Sequence, residues 1–229
     1  MKRSQSGFTL IEIAIVLVII GLLLGGVLKG QELINSAKVK NLAADFKNVP
    51  LYIYGYQDKF RALPGDDTLA ASHVAGTPAA TTTNSGNGLI NGDWNSNDPT
   101  VESIVFWQHV RLAGFAAGST TIPGSIANDQ DPYLPQNAVG GRIGIESGSA
   151  TPPIANLKGS FIICSSHILG KFAKQLDTTM DDGVQSTGSI MITADTTGSV
   201  TAQTRTAGTA PAASTTVDDS SLYTVCMGV

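Results

Sequence analysis

Charged residues are scarce in this sequence, at 14% of 229 residues, where ordinary soluble domains carry about a quarter. The 14 Lys/Arg stand against 18 Asp/Glu for a net charge of −4, and such a balance does not suit a nucleic-acid binder. Cysteine is nearly missing: two residues exclude a disulfide-dense miniprotein. His73, His109 and His167 are the three histidines, too few and too scattered for a spaced Cys/His zinc cluster. Between Ile13 and Leu28 there is no charge of either sign, and Lys2 and Arg3 stand just ahead of that run. The length otherwise allows one ordinary domain plus an appendage.

The uncharged run belongs to a span-length segment. From Phe8 to Leu28 there are 21 residues, close to the roughly 20 an α-helix needs to cross about 30 Å of hydrocarbon. A cleavable secretory core is about 7–15 residues and ends at a small-residue cleavage site, which this sequence lacks. Lys2 and Arg3 predict that the amino end stays cytoplasmic. Glu12 is out of place in this span, because a carboxylate at membrane depth costs on the order of 2.5–3.5 kcal/mol unless it finds a partner. Either Glu12 lies near enough to the membrane surface to stay wet or protonated, or a cation meets it in the same layer.

Gly7-Phe8-Thr9-Leu10-Ile11-Glu12, with Lys2 and Arg3 ahead and an apolar helix behind, resembles the class III leader and amino terminus of type IV pilins and type II secretion pseudopilins. The resemblance implies that a prepilin peptidase cuts between Gly7 and Phe8 on the cytoplasmic side and N-methylates Phe8. It further implies an α+β, pilin-like ladle, with a long amino-terminal helix packed on a small antiparallel β-sheet head. The expected divisions are residues 1–7 as leader, 8–28 as transmembrane and filament-core helix, 29–60 as its amphipathic continuation, and 61–229 as an extracytoplasmic head. The family often has Pro at the position held here by Lys29. Gly21, Gly25, Gly26 and Gly30 are the residues that loosen this helix instead, each by up to about 1 kcal/mol relative to Ala.

Cleavage gives Glu12 a reason to be where it is. The freed Phe8 amine is a cation, and Glu12 follows four residues later, on the same helical face and about 6 Å higher. The Glu12 of one subunit can neutralise the Phe8 amine of its neighbour, so assembly cancels two poorly solvated charges and selects an axial register. The alternative is a pair within one subunit, which anchors a monomer without building anything.

After Lys29 the apolar positions thin to Val39, Leu42, Phe46, Val49, Ile53, Tyr56 and Phe60, alternating steps of three and four that make a one-sided helical seam. Pro50 falls within it and predicts a kink or short break. A continuous helix from Phe8 to Lys59 would run about 75 Å at 1.5 Å per residue. Charge divides at the seam's end: residues 29–61 hold six Lys/Arg and three acids (+3), whereas residues 62–229 hold six and fourteen (−8). Basic stems set beside acidic heads of neighbouring subunits would favour one register.

Pro64-Gly65-Asp66-Asp67 reads as a turn, and residues up to about Thr100 as mostly loop. Asp98 and Pro99 predict a capped helix over residues 99–113 that buries Ile104, Val105, Trp107 and Leu112, with His109 on its exposed side. Ile168, Leu169, Phe172 and Leu176 predict a second helix stopped near Gly183. Strand-like runs are 142–146, 161–164, 190–194, 200–204 and 222–226. The Ser/Thr/Ala/Gly-rich tract 196–216 reads either as a long exposed loop or as a disordered or glycosylated segment.

Cys164 and Cys226 are expected to pair, since the amino terminus puts the head where disulfides persist. Closing these 63 residues would stabilise the head by about 4 kcal/mol in the chain-entropy picture. Pilins commonly bracket a carboxyl-terminal loop this way, so the resemblance implies the same pairing.

Gly86-x-Gly88 and Gly92 do not follow a strand or open a helix, so they read as turn glycines rather than a phosphate loop. Asp93, Asn95 and Asn97 match the first three ligands of an EF-hand, but Asp98 stands where its Gly belongs and Ile104 where its bidentate Glu belongs. They are weak calcium candidates, as are Asp66, Asp67 and the cluster Asp177, Asp181 and Asp182. Ser165-Ser166-His167 is not a triad, because adjacent residues do not set nucleophile, base and orienter around one another.

No catalytic constellation emerges and no cofactor beyond a weakly held calcium. The expected role is a structural subunit, a major or minor pilin of a type IV pilus-like filament. The alternatives are a type II secretion pseudopilin and a non-assembling, membrane-anchored periplasmic binding protein. The expected partners are copies of the chain, other pilins, prepilin peptidase and the inner membrane, with no nucleic acid. The precursor is placed in the bacterial inner membrane and the mature chain in an extracellular or periplasmic filament.

Overall fold

A computed structural model describes residues 9–79, 85–148, 151–195 and 210–229. Gly7, Phe8, the expected strand 200–204 and most of the tract 196–216 lie outside the described residues. The elements in chain order are α1 (Leu10–Phe60), α2 (Ala70–His73), α3 (Glu102–Leu112), β1 (Ile143–Ser147), β2 (Phe161–Leu169), α4 (Gly170–Met180), β3 (Ile190–Ala194) and β4 (Leu222–Gly228). Long amino-terminal helix and small antiparallel sheet make an α+β layout of the pilin-like kind. The chain divides into two compact units, residues 1–38 and 39–229, and the boundary falls inside α1.

Within the second unit, the seam of α1 is buried as its spacing demands: Val39, Leu42, Phe46, Val49, Ile53 and Tyr56 are in the core, and Phe60 is half-buried. The helix runs through Pro50 without the expected break. An interior proline costs about 3 kcal/mol or more. Burying one Phe, Val or Ile returns about 1.5–3 kcal/mol, and Phe46, Val49 and Ile53 flank the missing bond. Packing therefore outweighs the local penalty. One turn further on, Gly55 is required by a close approach: a Cβ there would lie 2.8 Å from the Phe115 ring.

The sheet has the order β1-β2-β4-β3, antiparallel throughout. Its strands alternate between two apolar clusters, as period-2 side chains must. Ile163, Val225, Ile190 and Ile192 join the main core with the α1 seam, α3 and Phe172 and Leu176 of α4. Ile162, Cys164, Met191 and Cys226 face a smaller cluster covered by Trp94, Ile154 and Leu157. Cys164 and Cys226 are opposed in the β2–β4 register and are joined by a disulfide, so the bridge clamps the two central strands on the face away from the helices.

Three local expectations are corrected. Helix α3 begins at Glu102, not at Pro99, because the Asp98 carboxylate accepts from both the Thr100 N–H and hydroxyl in a local turn. All of α3 from Glu102 to Arg111 is buried and Leu112 is half-buried, so it has no exposed side for His109. Ile168 and Leu169 belong to β2, which continues past a register shift at Ser165/Ile168 and passes straight into α4 at Gly170. The described residues of the stretch 64–100 are loop apart from the four residues of α2.

His109 is 0% exposed. Its Nδ1 accepts from the Gly65 N–H at 3.0 Å, which leaves Nε2 to donate to the Thr77 carbonyl at 2.7 Å. The ring stacks on Tyr56 at 5.9 Å. Burial, the dominant influence, holds its pKa below the usual imidazole value. Stability contributed by the neutral ring is complete above about pH 6.5 and declines as pH falls through that value, because the unfolded chain then takes up protons the folded one resists. We expect His109→Gln to cost about 1–3 kcal/mol at pH 7.5, through the two partners it leaves poorly satisfied. In urea titrations the gap to the parent chain should narrow at pH 5.5; a constant gap would refute the buried neutral ring.

Candidate functional site

The first unit is a helical segment that buries almost nothing of its own. From Leu10 to Leu28 every residue is exposed, with Leu10 at 89% and Leu22 at 74%. The uncharged window of this helix is long and apolar enough to cross a membrane. A soluble chain does not leave such a surface in water, so lipid or other apolar helices must cover it. Gly21, Gly25, Gly26 and Gly30 do not interrupt the helix, and a Cβ at any of them would meet nothing within 4 Å.

The acid in this segment holds a definite position. The Glu12 carboxylate accepts from the Thr9 N–H at 2.8 Å and the Thr9 hydroxyl at 2.7 Å, while the Glu12 N–H points back to Thr9 Oγ1 at 3.4 Å. This is a capping box, in which Thr9 precedes the first helical residue and an acid follows three positions later. Thr9-x-x-Glu12 is a capping signal in the sequence, masked by the stronger Gly7-to-Glu12 pattern that contains it. The box turns the carboxylate back toward the residue that directly follows Phe8. A cation placed there meets a carboxylate already held in place, and the positive end of the helix dipole favours negative charge at that carboxylate.

The candidate residues between Asp66 and Asn97, and those at 165–167, are engaged within the body. Asp66 accepts from the N–H groups of Gly86, Asn87 and Gly88, and both glycines have positive φ. The glycine turn thus wraps a carboxylate of its own chain. Asp67 accepts from Tyr56 Oη and from the Leu69 N–H, and pairs with His73 Nδ1 at 2.7 Å. Both acids line an open depression of about 610 Å³ with Phe60, Arg61 and Leu63. Asn97 Oδ1 accepts from Arg142. Asn95 is buried and Asp93 offers its carbonyl to Ser103 Oγ. Ser165 accepts from Asn137, Ser166 from the Arg142 N–H, and His167 pairs with Asp195 at 3.2 Å. The three adjacent residues thus have three separate partners.

Among families of known proteins, the model described as the prokaryotic N-terminal methylation motif matches residues 2–28. No curated protein matches the chain, and no solved structure matches it.

Proposed function

Proceeding from the class III leader signature of type IV pilins and pseudopilins at residues 2–28, we propose that the chain is a structural subunit of a type IV pilus-like filament, a pilin in either its major or minor role. That signature implies processing by a prepilin peptidase and assembly with other pilin-type subunits. In this reading the enzyme cuts after Gly7 and methylates Phe8, and the mature subunit waits in the inner membrane with its apolar helix in lipid. Assembly exchanges lipid for the helices of neighbouring subunits, and Glu12 neutralises the Phe8 amine of the next subunit.

The observation that carries this reading is the juxtaposition of the motif with a helix whose apolar surface is exposed on all sides from Leu10 to Leu28. A membrane anchor alone requires the apolar surface but no acid held at its cytoplasmic end. The mass of the amino-terminal peptide, taken from a sheared surface-filament fraction, tests the proposal. It should begin at N-methyl-Phe8; a start at Met1 in that fraction would overturn it. Recovery of the processed chain solely from the cell envelope, with a defect in protein secretion, would assign it to a pseudopilus instead.

A further inference from the structure

The turn between α4 and β3 gathers three acids. One ligand oxygen from each of Asp177, Asp181 and Asp182 lies within 4.8 Å of the other two. An acidic turn exposed to water needs no ion, but Asp177 is 0% exposed, and neither of its carboxylate oxygens has a hydrogen-bond partner. A buried carboxylate left in that condition is among the most unfavourable arrangements a folded chain can hold. We propose that Asp177, Asp181 and Asp182 form a calcium site that ties the end of α4 to the start of β3.

The surroundings are built for a cation. The Asp181 carboxylate accepts from the Ile190 N–H at 2.7 Å, which fixes it beside the first residue of β3. Asp182 accepts from the Val184 N–H and the Thr187 hydroxyl, both at 2.8 Å. Gly188 has a φ of 83°, and a Cβ there would fall 2.0 Å from Asp181 Oδ2, so glycine is the residue that lets this acid turn inward. Each of these oxygens keeps a lone pair for a metal while accepting its hydrogen bond.

All the donors are hard carboxylate oxygens, the set that selects calcium or magnesium over softer metals. The irregular turn suits calcium, which accepts varied coordination geometry, better than magnesium, which demands a near-ideal octahedron.

Calorimetric titration of the full chain in detergent with calcium chloride, after chelator treatment, together with thermal melts, tests the site. One calcium per chain is expected, and 10 mM calcium should raise Tm by about 5–10 °C over chelator if Kd is near 0.1 mM. Asp177→Asn should lose the response and melt above the parent chain in chelator, since it removes the buried charge. Asp182→Asn, at an exposed position, should keep the fold and weaken calcium at least tenfold. Absence of saturable binding up to 10 mM would overturn the proposal. So would a response that survives both substitutions, an equal response to magnesium chloride, or loss of the response in Asp93→Asn alone.

Discussion

Glu12→Ala is expected to leave the chain inserted in the membrane and folded, yet to reduce its incorporation into filaments at least 100-fold. On the proposed pairing, the substitution removes the acid from an apolar layer and leaves the neighbouring Phe8 amine without its counter-ion, and an uncompensated charge of that kind costs about 3–5 kcal/mol. Each 1.4 kcal/mol is a tenfold change in an equilibrium, so the loss exceeds two orders of magnitude. The body is spared, because residues 39–229 form a unit with a core of their own.

The capping box supplies a control. Thr9→Ala removes the hydroxyl that Glu12 bonds but keeps the charge, and a lost cap costs about 1 kcal/mol of helix stability. Its effect on incorporation should be several-fold. The comparison is read by immunoblot of sheared and membrane fractions. Equal filament yield from Glu12→Ala would remove charge pairing from the assembly mechanism, and equal losses in the two variants would reduce Glu12 to a cap.

Asp129→Ala is expected to destabilise the body by about 3–5 kcal/mol, the typical cost of breaking a buried ion pair from one side. Arg142, at the entrance to β1, is 1% exposed, and its guanidinium donates to Asp129 Oδ1 at 3.1 Å, the Ser96 carbonyl at 2.7 Å and Asn97 Oδ1 at 3.3 Å. Two otherwise irregular loops are thereby tied to one strand. Without Asp129 the cation stays buried against neutral acceptors. Chemical unfolding of the full chain in detergent should show the lower midpoint. The double change Asp129→Leu with Arg142→Met should recover most of the loss, since replacing both charges removes the stranded partner. A loss below about 1 kcal/mol would mean that water reaches the guanidinium.

Periodicity carried the sequence reading furthest where one signal dominated. The α1 seam from Val39 to Tyr56 and the strands 190–194 and 222–226 needed no more than spacing and apolar type. Where two local signals competed, the reading slipped. Ile168, Leu169, Phe172 and Leu176 have helical spacing, but the first two lie on a strand that enters the helix with no intervening loop. Asp98 prefers Thr100 to a helix end. His109 and Arg142 were beyond reach for a different reason: their partners Gly65 and Asn97 are 44 and 45 residues away, and no local pattern encodes contacts at that distance. Glu12 stands out by its motif, whereas its bond to Thr9 is encoded in the same six residues and obscured by them.

The sheet's order has a consequence for how the body comes into being. Strand β4 is last in sequence among the described strands, yet it lies between β2 and β3 and contacts both. A growing chain that has not reached Leu222 has a β1–β2 hairpin and a stranded β3, with Cys164 awaiting its partner. The body therefore cannot ripen strand by strand as it is synthesised; its central ladder and its covalent clamp arrive together, late, through contacts far apart in sequence, the kind that form slowly.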